Sequence, residues 1–309
     1  MEPRVFERLF RAMNCGMGAW VAAADAQAAA DRLAAVEAFM HATEAALSRF
    51  RPDSELSRLN TQAGRPVQVS PLLAELLALA LASAEQTNGL YDPTMLAALE
   101  AAGYDRSFEQ LGPVAPARSM TGPAYSWRDV QFDAATRQVT LPVGGRLDLG
   151  GIVKGWAADR AAEMLAEVGG CLVDVGGDLM ARGEPVEYPA WPVGVADPRD
   201  ADRDLALLML KDRGVATSGT DYRRWRQGDT LRHHIIDPRT RRPAQTDLLS
   251  VTVIAPTAVQ ADLHAKVVLM LGSVEGRGYL DRLPNVEALL MGEDGSQWQT
   301  AGFEKYVFK

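Results

Sequence analysis

Strands and helices are predicted along this sequence in an order that lacks the regular strand–helix–strand alternation of a parallel α/β sheet. Apolar residues at helical spacing predict helices over 27–50, 72–82, 154–168 and 258–272, with a short helix after Pro93. Strands are predicted at 16–24, 130–133, 138–141, 171–175, 192–196, 205–210, 231–236, 249–255, 286–291 and 303–308. This order favours an α+β fold with mixed or antiparallel sheets and packed helices.

Composition and charge exclude several classes of protein. The 309 residues are 47% hydrophobic and 23% charged, which is ordinary for a globular chain that can build its own core. The net charge of −8 argues against a nucleic-acid-binding protein. No segment reaches the roughly 18 apolar residues of a membrane span, and the first residues lack the apolar run of a signal peptide. We therefore expect a cytoplasmic protein without membrane insertion, or an exported one if a leader was removed.

One segment suggests an internal boundary. Residues 112–126 are rich in Pro, Gly, Ala and Ser and are predicted to form a loop. We expect a single domain over 1–309, with a boundary between two lobes near this loop.

The densest motif is the run Asp148-Leu149-Gly150-Gly151-Ile152-Val153-Lys154-Gly155-Trp156. Two glycines allow close approach of a ligand to the backbone, and the N–H groups of the helix that follows attract phosphate. Lys154 adds a positive charge. The alternative is an ordinary strand-to-helix turn with a surface lysine.

Three further motifs carry polar side chains that suit a binding site. Asp174 to Asp178 is a strand end with two glycines between acids, and the adjacent His233 and His234 lie in a predicted strand, where one could act as a general base. Asp262 and Lys266 share one face of a helix. Each motif also has a structural reading: a tight turn, a structural histidine and a surface ion pair.

Taken in order along the chain, these motifs resemble the ApbE-type flavin transferase family, the FAD:protein FMN transferases. The resemblance extends from about Gly16 to Ala301. The matching segments are Met17–Gly18, Phe50–Asn60, Gly89–Thr94, Asp148–Gly155, Asp174–Asp178, Ser218–Gly219 and His234–Pro238.

The resemblance implies an enzyme whose two lobes enclose a flavin cleft. Such proteins cleave FAD, attach FMN to a serine or threonine hydroxyl of an acceptor protein at a Ser/Thr-Gly-Ala-Thr type site, and release AMP. The diphosphate is expected at the turn entering the 154–168 helix and at the start of the last long helix. The residues implied as FAD contacts are Met17, Phe50, Leu90, Tyr91, Asp92, Asp148, Lys154 and Ile235.

The resemblance also implies catalytic residues and a metal. His234 is the candidate base for the acceptor hydroxyl, Lys154 neutralises phosphate charge, and Asp262 is the acid of the late helix. Mg²⁺ would be held by the carbonyl of Gly151 and by Asp262. Hard cations of this kind prefer oxygen ligands.

The sequence departs from the family pattern at several positions, among them Ala19, where threonine is common. Lys266 stands where the family has a threonine that helps bind the metal, Arg241 stands where glycine is usual, and Phe50 replaces a tyrosine. Lys266 could turn outward, replace part of the metal's charge, or leave a protein that binds FAD without efficient cleavage. The alternative functions are therefore an FAD-binding protein or slow FAD pyrophosphatase, and a phosphate-ligand or partner-binding α+β protein.

Overall fold

The computed structural model describes residues 2–111, 114–115, 124–221 and 223–309. The α-helices of these residues are α1 (Ala26–Leu47), α2 (Glu55–Thr61), α3 (Pro71–Gln86), α4 (Leu96–Ala101), α5 (Val153–Ala166) and α6 (Ala258–Leu280). The strands are β1 (Arg4–Ala12), β2 (Cys15–Ala23), β3 (Pro66–Gln68), β4 (Val114–Ala115), β5 (Gln131–Asp133), β6 (Gln138–Thr140), β7 (Gly170–Val175), β8 (Asp178–Arg182), β9 (Trp191–Asp197), β10 (Asp200–Leu210), β11 (Arg213–Gly219), β12 (Arg224–Gln227), β13 (Thr230–His233), β14 (Ile236–Asp237), β15 (Arg242–Pro243), β16 (Leu248–Ala255), β17 (Glu287–Gly292) and β18 (Gln297–Gln299).

The chain divides into two compact units, each made of segments that are distant in sequence. The first unit comprises Met1–His41, Ile152–Tyr222 and Thr246–Lys309. The second unit comprises Ala42–Gly151 and Arg223–Gln245. The prediction of one domain with a boundary near 112–126 stays a prediction, because most of that loop lies outside the described residues.

The first unit is built on an eight-stranded sheet with the order β1-β2-β7-β8-β11-β16-β17-β18. Every neighbouring pair in it is antiparallel. The predicted antiparallel α+β character is therefore present in the structure. A two-residue turn at Met13 and Asn14, both with positive φ, joins β1 to β2.

Helices α5 and α6 cover one face of this sheet, α5 on β7 and β8 and α6 on β11 and β16. Their close packing depends on a glycine. A Cβ placed on Gly155 would lie 2.8 Å from the carbonyl oxygen of Ala258, at the start of α6. Gly155 therefore lets the first turn of α5 lie directly against α6, which brings the two helix starts together on the sheet.

The hairpin of β9 and β10 covers the other face of the sheet. Alternation along each strand separates the two faces, so that Leu172 points toward the hairpin while its neighbours Cys171 and Val173 point toward the helices. The apolar cluster between sheet and hairpin consists of Leu172, Ala181, Trp191, Val193, Val195, Leu208, Leu210, Val215, Ile254, Leu289 and Phe303.

The second unit combines small sheets with short helices. Its sheets have the orders β3-β6-β5, β13-β12-β4 and β14-β15, and β12 with β4 is the parallel pair. Its described core cluster contains Met95, Ala98, Leu99, Ala102, Tyr104, Trp225 and Ile236. The indole of Trp225 donates a 2.7 Å hydrogen bond to the carbonyl oxygen of Ala102, which ties the β12 strand to the end of α4.

The structure corrects three of the predicted elements. The predicted strand at 303–308 is wrong, because Phe303–Lys305 form a 3-10 turn that buries Phe303. The predicted strand at 231–236 is two strands, β13 and β14, with His234 and Ile235 between them. The last long helix continues past 272 to Leu280 across a break at Gly272, whose φ of 75° suits glycine.

An acidic side chain starts the second half of that broken helix. The Asp247 carboxylate accepts the N–H of Ser273 at 2.8 Å and its hydroxyl at 2.5 Å, which caps the new turn. This contact comes from a loop 26 residues away, so a helical pattern alone does not reveal it. In the described parts of the chain, no helix has both the length and the apolar character needed to cross a membrane.

Candidate functional site

Two ion pairs lie on the helix-covered face of the sheet in the first unit. The first joins Lys154, in the opening turn of α5, to Asp178, the first residue of β8. The Asp178 side chain is 3% exposed, so its charge depends on this partner. The turn between β7 and β8 is held by Asp174, whose carboxylate accepts the N–H of Gly177 at 2.7 Å. The structure thus brings Lys154 of the 148–156 motif into contact with Asp178 of the 174–178 motif.

The second ion pair joins Asp262 to Lys266 within α6. Asp262 is 3% exposed and Lys266 is 16% exposed, so the pair is largely buried. Burial raises the pKa of Asp262, and the charge of Asp178 raises it further, while Lys266 and Lys154 oppose both effects. These four groups therefore form one charged cluster, which we call the α5–α6 charge cluster. Lys266 turns toward Asp262, so the structure does not show the outward orientation that was one of the three possibilities for this residue.

The α5–α6 charge cluster fits a divalent metal poorly. One oxygen of Asp262 takes the Lys266 ammonium, and the other, Oδ2, has no hydrogen-bond partner among the described residues. Asp178 is already paired with Lys154. Mg²⁺ requires a near-octahedral set of oxygens, whereas the described residues contain no group of three or more His, Cys, Asp or Glu side chains arranged to hold a metal. A single unpaired oxygen beside two ammonium groups suits a hydrogen-bond donor better than a dication.

The start of α6 is already capped by side chains. The carboxylate of Asp159 accepts the N–H groups of Ala258 and Val259 at 2.8 and 3.1 Å, and Thr257 Oγ1 accepts the N–H of Gln260 at 3.2 Å. Burial raises the pKa of Asp159 to about 6. These N–H groups already donate to side chains of the protein. They therefore do not support the prediction that this helix start binds a diphosphate.

The second unit gathers several of the predicted residues around Arg49. Its guanidinium lies 3.3 Å from the Asp148 carboxylate, and its side chain is only 6% exposed. It also lies over the rings of Phe50 and Tyr104, at 4.0 and 4.7 Å from the ring centroids. The ring of His234 contacts the edge of Tyr104, with centroids 6.5 Å apart. Arg49 and Tyr104 thus connect Phe50, Asp148 and His234 in one group, the Arg49 cluster.

Arg49 and Tyr104 were not identified by the sequence analysis. Arg49 lies just before the matched segment that begins at Phe50, and the sequence does not show that its side chain is buried. Tyr104 lies just beyond α4 and stacks on Trp225 with a centroid distance of 5.5 Å. The sequence separation of these two aromatic residues, one before and one after the 112–126 loop, hides that contact from any local pattern.

Leu90, Tyr91 and Asp92 occupy the turn after α3. The Asp92 carboxylate accepts the N–H and hydroxyl of Thr94 at 2.8 and 2.7 Å and the N–H of Trp127 at 3.1 Å. Burial raises the pKa of Asp92, and these hydrogen bonds oppose the shift. Tyr91 is buried and Leu90 is half-buried. Asp92 therefore has a structural role in this turn, beside whatever it contributes to a ligand.

The His234 segment is held by backbone contacts on both sides. His233 Nε2 lies 3.0 Å from the carbonyl oxygen of Ala244, and the carbonyl of Ile235 accepts the N–H of Ala244 at 2.9 Å. Ile235 is buried, while His234 is half-buried. Arg241 adopts a φ of 56°, the left-handed conformation that glycine prefers, so the turn keeps its shape although the residue differs.

Met17 and Gly151 complete the set of predicted residues. Met17 is buried in β2 opposite Val175, on the sheet of the first unit. Gly151 is half-buried at the end of the first segment of the second unit. A cavity of about 1380 Å³ in the first unit lies on the hairpin side of the sheet, with Trp20, Leu179, Val193, Thr217 and Ser250 in its walls. Asp174 and Gly177 of the 174–178 motif also line it, whereas none of the residues implied as FAD contacts, catalytic residues or metal ligands does.

His264, two residues from Asp262, gives a prediction of acid sensitivity. Its ring Nδ1 lies 2.8 Å from the hydroxyl oxygen of Tyr279, and burial lowers the pKa of His264 to about 4. The unfolded chain takes up this proton near its ordinary pKa of 6.5, so the folded state loses stability as pH falls from 6.5 toward 4. This histidine alone contributes a loss of about 3 kcal/mol over that window, which the raised pKa of Asp159 opposes.

Urea unfolding at pH 7 and pH 5 measures this effect. His264→Asn keeps a polar atom near Tyr279 without the titration, so its stability should fall less between the two pH values than that of the wild type. His41→Asn, at an exposed histidine, is the matched control and should follow the wild type. Equal pH dependence in the wild type and His264→Asn would contradict the prediction.

Comparison with known proteins identifies the family of this chain. The sequence model of the ApbE family matches residues 16–290. The FAD:protein FMN transferase of Treponema pallidum (strain Nichols) is 35% identical over 280 residues, covering 84% of this chain and 76% of that protein. The FAD:protein FMN transferase of Salmonella typhimurium is 30% identical over 295 residues, covering 92% and 84%. The crystal structure of the ApbE protein of Thermotoga maritima has a TM-score of 0.86 and 27% identity, covering 99% of this chain and 100% of its own. The predicted resemblance and fold class are thereby confirmed, and this chain belongs to the ApbE family.

Proposed function

We propose that this protein is an FAD:protein FMN transferase, which cleaves FAD and attaches FMN to a serine or threonine hydroxyl of an acceptor protein. The observation that carries this proposal is the match to proteins of that name over most of both chains, at 35% and 30% identity. In the reaction, the acceptor oxygen forms a bond to the FMN phosphorus as the bond from that phosphorus to the bridging oxygen breaks. AMP leaves with the bridging oxygen and its electron pair.

His234 is the proposed general base for the acceptor hydroxyl. A half-buried imidazole on a short loop between two strands is held in place yet remains open to a ligand. The edge of Tyr104 and the backbone contacts of His233 and Ile235 limit its movement. A base held in this way accepts the hydroxyl proton as the oxygen attacks phosphorus.

The remaining predicted contacts are proposed to have different chemical roles. Lys154 is proposed to neutralise phosphate charge, because phosphoryl transfer asks the protein mainly to position groups and stabilise negative charge. Phe50, beside Arg49, offers an aromatic face to a planar ring. Met17, Leu90, Tyr91, Asp92, Asp148 and Ile235 stay predicted FAD contacts.

Magnesium stays a prediction that the donor atoms of this chain support poorly. Of the two residues implied as ligands, Gly151 offers only a carbonyl oxygen, and Asp262 is occupied on one oxygen by Lys266. No step of the proposed reaction depends on a metal.

Transfer of flavin to an acceptor tests the proposed function directly. The purified protein is incubated with FAD and an acceptor protein that carries a Ser/Thr-Gly-Ala-Thr type site. We expect an acceptor that remains fluorescent after denaturation, with AMP released in equal amount. Replacing the acceptor hydroxyl residue with alanine should abolish both.

Two other outcomes would point to the alternative functions. A melting temperature that rises with FAD, without labelling or AMP, would indicate a protein that only binds FAD. Release of AMP and FMN without labelling would indicate a pyrophosphatase. An unchanged melting temperature and no product would contradict both the transferase and the FAD-binding hypotheses.

A further inference from the structure

The α5–α6 charge cluster balances its charges internally. Asp178 and Asp262 are each 3% exposed, and each is paired with an ammonium group, of Lys154 and Lys266 respectively. Removing an ion from water is costly unless it is paired, so each buried carboxylate of this cluster depends on its ammonium partner. Asp174, whose pKa is raised by burial and by the charge of Asp178, lies near the same turn.

Lys266 keeps donors beyond its bond to Asp262. A lysine ammonium carries three N–H donors, and the ion pair with Asp262 uses one of them. Its side chain is 16% exposed, so part of it remains accessible. The partly accessible Lys266 side chain, with spare donors and a second ammonium group, Lys154, in the same cluster, can donate charge-assisted hydrogen bonds to a multiply charged anion such as a diphosphate.

The same cluster disfavours a dication. Both carboxylates are already paired with an ammonium group, so neither offers an uncompensated negative charge to an added dication. His264, two residues from Asp262, is 2% exposed, and its ring contacts the hydroxyl of Tyr279. The unpaired Oδ2 of Asp262 is a single acceptor, far short of an octahedral oxygen set.

Building on the flavin transfer proposed above, we propose that the Lys266 ammonium takes the place of a divalent cation at the diphosphate of FAD, so that this protein works without one. The ammonium stabilises the negative charge that gathers on the AMP phosphate as the bond from the FMN phosphorus to the bridging oxygen breaks. The electron pair stays on the bridging oxygen, and the proton of the acceptor hydroxyl goes to the general base. Lys266 is thereby a built-in counter-ion for this substrate.

Metal binding is measured directly on the wild type and on Lys266→Thr. Mn²⁺ serves as the probe, by electron paramagnetic resonance with and without FAD, and Mg²⁺ by calorimetry. We expect the wild type to bind no stoichiometric Mn²⁺ and to transfer flavin equally well in excess EDTA. Lys266→Thr removes the ammonium and leaves Asp262 uncompensated, so it should gain one Mn²⁺ site and become dependent on metal.

FAD affinity is a second readout that does not require transfer. In EDTA, Lys266→Thr should bind FAD roughly tenfold or more weakly than the wild type, the loss expected for one charge-assisted hydrogen bond. Added Mg²⁺ should restore part of the loss. Lys211→Thr is the matched control, because Lys211 is 48% exposed and pairs with the exposed Glu184. It should leave FAD affinity and metal binding unchanged.

The outcomes separate this inference from the proposed function. One Mn²⁺ bound tightly by the wild type, or transfer abolished by EDTA, would overturn the role of Lys266. If no transfer occurs under any condition, the proposed function fails, while the Mn²⁺ and FAD measurements still decide whether the lysine replaces a metal. If Lys266→Thr does not fold, Lys266→Arg keeps the charge and should retain metal-free FAD binding, and the wild-type measurements stand alone.

Discussion

Replacing His234 with asparagine is expected to lower the rate of flavin transfer by about 10²–10⁴-fold, the usual contribution of a general base. Asparagine keeps a polar side chain of similar size but does not accept the hydroxyl proton. FAD binding should change little, because the backbone contacts of His233 and Ile235 hold the segment in place. Single-turnover transfer with preloaded FAD measures the rate, and a titration of FAD fluorescence measures binding.

The neighbouring histidine is the matched control for this prediction. His233 lies against the carbonyl oxygen of Ala244 and accepts the N–H of Ile235 at 3.3 Å, which is a structural role. His233→Asn should therefore lower the melting temperature and leave the transfer rate within about tenfold of the wild type. A transfer rate that His234→Asn leaves unchanged would exclude His234 as the base.

Replacing Arg49 with methionine is expected to destabilise the second unit by about 3–5 kcal/mol, the range for breaking a buried ion pair. The variant leaves the Asp148 carboxylate, which is 17% exposed, without its partner at 3.3 Å. It also removes the guanidinium from the rings of Phe50 and Tyr104 and deletes the 3.0 Å hydrogen bond to the carbonyl oxygen of Tyr104. Methionine retains most of the apolar stem of the side chain, so the loss mainly reports the guanidinium charge and its contacts.

Urea unfolding followed by tryptophan fluorescence measures this loss, because Trp225 stacks on Tyr104 in the same cluster. Arg51→Met is the matched control two residues away. Arg51 is 48% exposed and pairs with Asp53, which is 72% exposed, so the control should cost less than about 1 kcal/mol. The double change Arg49→Met with Asp148→Asn should recover part of the stability. Equal losses for Arg49→Met and Arg51→Met would contradict the burial argument.

The sequence patterns predicted the elements whose signals are local. The helices near α1, α3, α5 and the first part of α6 have apolar residues at helical spacing, and Ser70 followed by Pro71 marks the start of α3. The buried strands β7 and β16 were likewise predicted. The strand β1 was missed, because its apolar residues come in adjacent pairs, Val5–Phe6 and Leu9–Phe10, rather than at every second position, and it lies at the edge of the sheet. The 303–308 segment has strand-like residues but lies where the chain turns.

The ordered motifs predicted the family, because each depends on residue type and spacing along the chain. The motifs did not predict which of them contact one another. Lys154 meets Asp178 across 24 residues, and Arg49 meets Asp148 across 99. Such contacts depend on strand order and on which face of the sheet a residue occupies, and no local pattern encodes either.

For Lys266, the sequence determined the position, whereas the tertiary structure determined the orientation of the side chain. The sequence shows that Lys266 lies one helical turn after Asp262 and that it stands where the family pattern has a threonine. Whether the ammonium turned outward or inward depended on the burial of Asp262 and on the approach of Asp178 from the sheet. A carboxylate that is removed from water requires a counter-charge, and the packing of α6 on the sheet is what removes the water around Asp262.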